Sequence, residues 1–213
     1  MTSPARCKHL WNICNELLKQ NVPGSFVECG VWRGGSAAVL GLALKRAGEQ
    51  RKLHLFDSFE GLPEPTVDDG AYAAEYSGGR SGGALVSVNQ CRSSLAEVQD
   101  FLIQELGLDA KMLQFHVGWF QDTVPRAADT VGRIAVLRLD GDWYESTKVC
   151  LEYLYHLVSP GGVVILDDFQ FWQGCAKAAN EFRSKFAITA PIQKIDADAV
   201  FWRVDDSAAK CLA

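Results

Sequence analysis

The sequence predicts a doubly wound α/β sheet with one antiparallel strand, and three observations carry that expectation. Short apolar runs alternate with helix-patterned stretches along most of the chain. A glycine-broken turn follows the first apolar run. Two short runs near the C-terminus, separated by Asp196-Ala-Asp198, suit a closing hairpin.

The elements follow in order. Leu10, Ile13, Cys14, Leu17 and Leu18 recur at helical spacing, so an N-terminal helix is expected within residues 1–22, broken by Pro23-Gly24. Ser25 to Cys29 reads as a buried strand, Gly30 to Ser36 as a tight turn, Ala37 to Ala47 as a helix and Leu53 to Phe56 as a second strand. Strand, glycine-rich turn, helix, strand is one parallel βαβ unit. From Glu60 to Asn89 the periodicity weakens, with Pro63, Pro65, Gly70 and the Gly78–Gly83 cluster. A stretch that long inside a compact domain is expected to be a functional loop, so residues 60–90 are read as a lid. Alternation then resumes: helix 95–106, strand 112–117, helix 122–129, strand 134–139, helix 147–158, strand 162–166, helix 174–186, and strands 192–195 and 199–204.

The 213 residues suit a single domain spanning 1–213. Lys plus Arg number 21 against 26 Asp plus Glu, a net charge of -5, which argues against a nucleic-acid groove or a polybasic membrane patch. There is no apolar run of transmembrane length and no leader-like stretch at the start. The seven cysteines (7, 14, 29, 91, 150, 175 and 211) are odd in number and lack metal-ligand spacing, which suits reduced thiols in the cytoplasm.

Open α/β sheets bind ligands beyond the C-terminal ends of their strands. The acids there are Glu28, Asp57, Asp140 and the pair Asp167-Asp168. The first turn lacks the dinucleotide fingerprint. An acid just before its glycine would repel a pyrophosphate and suits a ligand with a cationic end. Asp57, ending the second strand, stands where an acid accepts ribose hydroxyls, or simply caps a turn. Asp140, Asp167 and Asp168 end two successive strands. If these strands are neighbours, the carboxylates converge and need a cation, and oxygen ligands alone favour Mg²⁺, Ca²⁺ or Mn²⁺. Asp142 could reach the same pocket without ligating. Helix capping is the alternative, but it accounts for one carboxylate per helix. Trp119-Phe120 could flank a flat ring or belong to the core. No nucleophile elbow and no P-loop is present.

Five segments together resemble the macrocin O-methyltransferase family: Val27–Ser36, Asp57–Pro63, Gly118–Pro125, Leu139–Thr147 and Ser159–Asp168. Members are S-adenosylmethionine-dependent, metal-assisted sugar O-methyltransferases of antibiotic pathways, related to noviose O-methyltransferase. The resemblance implies a class I, Rossmann-like methyltransferase fold, a seven-stranded sheet with one antiparallel strand. It implies that Glu28 and Gly30 lie near the methionine part of the cofactor, that Asp57 holds the ribose, and that Ser58 and Gly118-Trp119 lie near the adenine. Ser36 and Asp140 are counted with these cofactor contacts. Asp140, Asp167 and Asp168 are expected as ligands of Mg²⁺ or another hard divalent cation, and Asp142 as the general base. The expected acceptor is a small-molecule glycoside or diol, and a homodimer is an open option. A metal-dependent methyltransferase of catechols ranks second. Such enzymes usually carry a lysine base near the first acidic motif, and here Lys148 lies well past Asp140. A non-catalytic module that binds the cofactor ranks third.

Overall fold

The computed structural model describes residues 3–205. Helix α1 (Pro4–Lys19) starts at Ser3, whose hydroxyl accepts from the Arg6 N–H, and it buries Leu10, Ile13, Cys14, Leu17 and Leu18. Then come β1 (Ser25–Cys29), α2 (Gly35–Ala47) and β2 (Leu53–Asp57), the expected βαβ unit. A single 3₁₀ turn (Val67–Asp69) and α3 (Gly70–Tyr76) follow, then α4 (Leu95–Gln99), β3 (Leu113–Val117), α5 (Phe120–Val131) and β4 (Ile134–Leu139). The chain ends through α6 (Tyr144–Leu154), β5 (Val158–Leu166), α7 (Gln173–Lys185), β6 (Gln193–Lys194) and β7 (Val200–Arg203). Cys211 lies outside the described residues; the other six cysteines are free.

The seven strands run in the order β3-β2-β1-β4-β5-β7-β6. β1 to β5 pair in parallel, and β7 lies antiparallel to both β5 and β6. β1 and β4 are buried along their whole length, because helices cover both faces of the sheet. One core packs Val27, Leu137 and Val164 with α5, α6 and α7; the other packs Phe26, Val136 and Val163 with α1 and α2. The strand order reverses between β1 and β4, and a doubly wound sheet opens its ligand crevice there. Among the described residues, no helix is long and apolar enough to cross a membrane.

Three expectations shift. The stretch 60–90 is not irregular throughout, because α3 lies inside it. The expected helix 95–106 loosens to π-helical geometry over Asp100–Glu105. The helix expected at 147–158 starts earlier, at Tyr144, and β5 starts at Val158. Periodicity misplaces these ends because Ser159-Pro-Gly-Gly162 reads as a turn although it runs on into the strand.

Candidate active site

Beyond the ends of β1, β2, β4 and β5 the structure opens a cavity of about 120 Å³. Gly30, Trp32, Asp57 and Ser58 line it from the first turn and the end of β2, Asp140, Asp142, Asp167 and Asp168 from the ends of β4 and β5, and the two sets meet where Gly30 lies against the Asp140 carbonyl. Trp119, Phe120 and Gln121 form a wall from the start of α5, Pro63 reaches in from the 60–90 segment and Cys91 from just beyond it.

The first turn is held by Asp57. One of its oxygens accepts the Val31 and Trp32 N–H groups at 2.7 and 3.0 Å, and the other accepts the Phe59 N–H at 2.6 Å. Burial pushes the Asp57 pKa up, while these N–H groups pull it down. Gly30 is required by close approach: a Cβ there would lie 1.9 Å from the Asp140 carbonyl oxygen, and its φ is +94°. Ser58 also shapes the rim, its hydroxyl donating to the Gly61 carbonyl at 2.8 Å.

Glu28 stands apart from this expectation. It is wholly buried within β1, does not line the cavity, and one oxygen pairs with Arg138 at 2.9 Å. Its other oxygen has no partner, and burial pushes its pKa up to about 8. Ser36, buried in α2, and Gly118, just past β3, also lie off the cavity wall. Trp119, beside Gly118, does line it.

The acidic end is organised differently. Asp140, Asp142 and Asp168 each offer an oxygen, and these lie within 4.8 Å of one another. Asp167, expected as a cation ligand, is not in this group. Its oxygens pair with Arg6 at 2.7 Å and Arg138 at 2.8 Å. The two adjacent aspartates face different partners because successive side chains at a strand end point to opposite sides. Arg6 is shared further, with Asp196 and Asp198 at 2.8 Å each, so α1 is tied to the turn between β6 and β7. Arg138 also reaches Asp140 at 2.9 Å.

Asp168 carries a buried oxygen with no hydrogen-bond partner. Burial, then the charges of Asp142 and Asp140, push its pKa well up. Asp142 has φ +58°, a left-handed conformation that costs a non-glycine residue energy and concentrates at functional sites. Its Oδ1 accepts from the Trp172 indole N–H at 2.6 Å, and burial, then Asp140, raise its pKa to about 8. Three close carboxylates, an orphaned oxygen and an all-oxygen donor set fit a hard divalent cation.

The 60–90 segment is docked against this end. The Trp143 indole donates to the Pro63 carbonyl at 2.9 Å. Buried Asp69 accepts from the Tyr144 N–H at 2.5 Å and from the Thr66 N–H at 2.7 Å. Sequence reasoning missed Asp69, Arg138, Arg6 and Trp172. A charge inside the apolar run Ile134–Leu139 is a signal for Arg138, because an arginine in a buried strand needs acidic partners. Nothing near Arg6 in the sequence points to Asp167, since their pairing depends on how α1 docks.

The profile of the Macrocin-O-methyltransferase (TylF) family matches residues 1–204. The chain is 38% identical over 214 residues to an 8-demethyl-8-(2,3-dimethoxy-alpha-L-rhamnosyl)-tetracenomycin-C 4'-O-methyltransferase of Streptomyces olivaceus, covering 100% of this chain and 78% of that protein. It is 36% identical over 203 residues to a demethyldecarbamoylnovobiocin O-methyltransferase of Streptomyces niveus, covering 93% of this chain and 72% of that one. The solved structure of the O-methyltransferase NovP superposes with a TM-score of 0.81 at 35% identity, over 94% of this chain and 80% of that chain.

Proposed function

The chain belongs to the macrocin O-methyltransferase family and is an S-adenosylmethionine-dependent O-methyltransferase; within that class we propose that it methylates a sugar hydroxyl of a small glycosylated natural product with the help of Mg²⁺ or a similar hard cation. Relatives named for rhamnosyl-tetracenomycin and novobiocin substrates support the glycoside. The observation that carries the cation is the orphaned Asp168 oxygen beside Asp140 and Asp142. We place the protein in the cytoplasm as a single domain; its free cysteines suit a reducing compartment.

The cavity divides the work. The Gly30–Trp32 turn, Asp57, Ser58 and Trp119 line the end that suits the cofactor. Asp57 fixes the turn through three backbone hydrogen bonds, so its first task is to shape the wall, and a ribose contact would add to that. Trp119 and Phe120 offer flat apolar surface suited to a purine. Glu28 acts from behind, by holding Arg138.

Asp140 and Asp168 would hold the cation. Asp167 is left to Arg6 and Arg138, a revision of the ligand set that follows from its two ion pairs. When bound, such a cation supplies Lewis acidity that lowers the pKa of an acceptor hydroxyl. Asp142 is the base. Trp172 fixes one of its oxygens, which holds the carboxylate in one orientation at the cavity wall. The docked 60–90 segment excludes water, and holding both reactants in one cavity supplies much of the rate. A catechol acceptor would call for a different base, since Lys148 lies on α6 and pairs with Glu145 at 3.5 Å.

The test is methyl transfer to a rhamnoside or noviose glycoside, read by mass spectrometry with and without a chelator. Asp142→Asn is expected to lose turnover while still binding S-adenosylhomocysteine. Full activity in excess EDTA would remove the cation from the reaction, and normal turnover by the variant would remove Asp142 as base.

A further inference from the structure

Beside the acidic end, four aromatic rings meet: Trp172, which also packs edge-on against Trp143 in the core, and three exposed rings around it. Tyr72 and Tyr76 come from α3, and Phe171 and Trp172 come from the turn that follows Asp168. Trp172 stacks with Tyr72 at 5.3 Å between ring centroids and meets Phe171 edge-on at 4.8 Å. Tyr76 meets Trp172 edge-on at 5.4 Å. Trp172 itself is buried, but Tyr72 is 57% exposed, Phe171 51% and Tyr76 38%. Val67 and Val86 of the same 60–90 segment are also exposed. Three exposed rings gathered on one buried indole form an apolar patch of the kind that serves as a binding surface.

Two links join the ledge to the cavity. The Trp172 indole donates to Asp142, so the rings are fixed relative to the proposed base. Tyr76 lies against Cys91, which lines the cavity, and burial followed by the influence of Cys91 and Asp142 raises its pKa. Asp142 and Cys91 line the cavity and touch Trp172 and Tyr76, so the ledge adjoins the cavity without lining it. Tyrosine and phenylalanine offer rigid flat area at small entropic cost.

We propose that Tyr72, Tyr76 and Phe171, braced by Trp172, form the subsite for the non-sugar part of the acceptor, and that this part is a flat apolar ring system. The inference rests on the glycoside reading for its meaning, although the ledge can be tested without it. It makes the 60–90 segment a specificity element, because α3 supplies two of the rings.

The experiment uses the full chain loaded with S-adenosylhomocysteine and umbelliferone as a flat, sugar-free probe, with binding read by fluorescence. Wild type is expected to bind it. Tyr72→Ala combined with Phe171→Ala should weaken binding about tenfold, the loss of roughly two ring contacts. Tyr72→Phe should stay near wild type, and S-adenosylhomocysteine should bind all three proteins alike. No binding to wild type, or equal binding by the double variant, overturns the subsite. So does a concentration-dependent dimer in sedimentation that the double substitution abolishes, since a second copy would then be the occupant. In turnover, the preference in kcat/KM for umbelliferyl over methyl α-L-rhamnoside should fall about tenfold in the double variant. If neither rhamnoside is methylated while umbelliferone binding remains ledge-dependent, the sugar reading fails and the subsite stands.

Discussion

The two ends of the cavity use the same residue type to opposite effect. At the first turn, Asp57 accepts three backbone N–H groups, and Glu28 behind it, one oxygen of which also lacks a partner, is held by Arg138 outside the cavity. At the other end, Asp140, Asp142 and Asp168 crowd together, and one Asp168 oxygen finds no donor. A buried carboxylate with enough donors is part of the framework. One crowded by two other carboxylates in the cavity wall stays charged only if a cation joins it, and otherwise takes up a proton. Asp167 shows how fine the division is: it adjoins Asp168 in sequence, yet two arginines make it structural.

The largest effect should come from removing the residue that separates the two ends. Arg138 faces Glu28, Asp140 and Asp167 from a fully buried position. Arg138→Met leaves Glu28 without its cation and Asp167 with Arg6 alone, and is expected to cost about 3–5 kcal/mol in urea unfolding. A loss below about 1 kcal/mol would mean that the acids are neutral without it.

Next comes the satisfied end. Asp57→Ala orphans the Val31, Trp32 and Phe59 N–H groups, with an expected loss of roughly 1–3 kcal/mol. The same measurement on a cofactor-loaded sample should show less stabilisation by S-adenosylhomocysteine than in wild type. An Asp57→Ala protein as stable as wild type would break the comparison, because Asp57 would then not be framework.

The smallest effect comes from the sheet edge. His54 Nδ1 and His116 Nε2 lie 3.0 Å apart, a pair that is satisfied while at least one ring is neutral. Burial, then His116 and Lys52, lower the His54 pKa to about 4. Unfolded histidine titrates near 6.5. Between those values the unfolded chain binds the proton that the folded chain refuses, so stability falls as pH drops from about 6.5 to about 4. Urea midpoints at several pH values should show that slope in wild type and a shallower one in His54→Gln.

Much of this was legible in the sequence. β1 and β4 fall where their apolar runs place them, and the acids at the strand ends mark the crevice. What was not legible depends on tertiary docking. Asp167 and Asp168 are indistinguishable in a sequence, and only the approach of Arg6 on α1 and Arg138 on β4 separates them. Glu28 looked like a cofactor contact because it precedes Gly30, but it is buried inside the strand, where an arginine two strand positions before Asp140 claims it. The Trp172 brace on Asp142 links residues thirty positions apart and leaves no local pattern.

The central claim is that the acidic end is built for a cation and the other end is not. The most direct measurement is a magnesium titration of thermal unfolding in wild type and Asp168→Asn, both first stripped of metal. Removing a carboxylate crowded by Asp140 and Asp142 should leave the stripped variant at least as stable as wild type. Magnesium should then raise the wild-type melting temperature and leave the variant nearly unmoved. A wild type indifferent to saturating magnesium, or a stripped variant that loses stability as Asp57→Ala is expected to, would contradict the account.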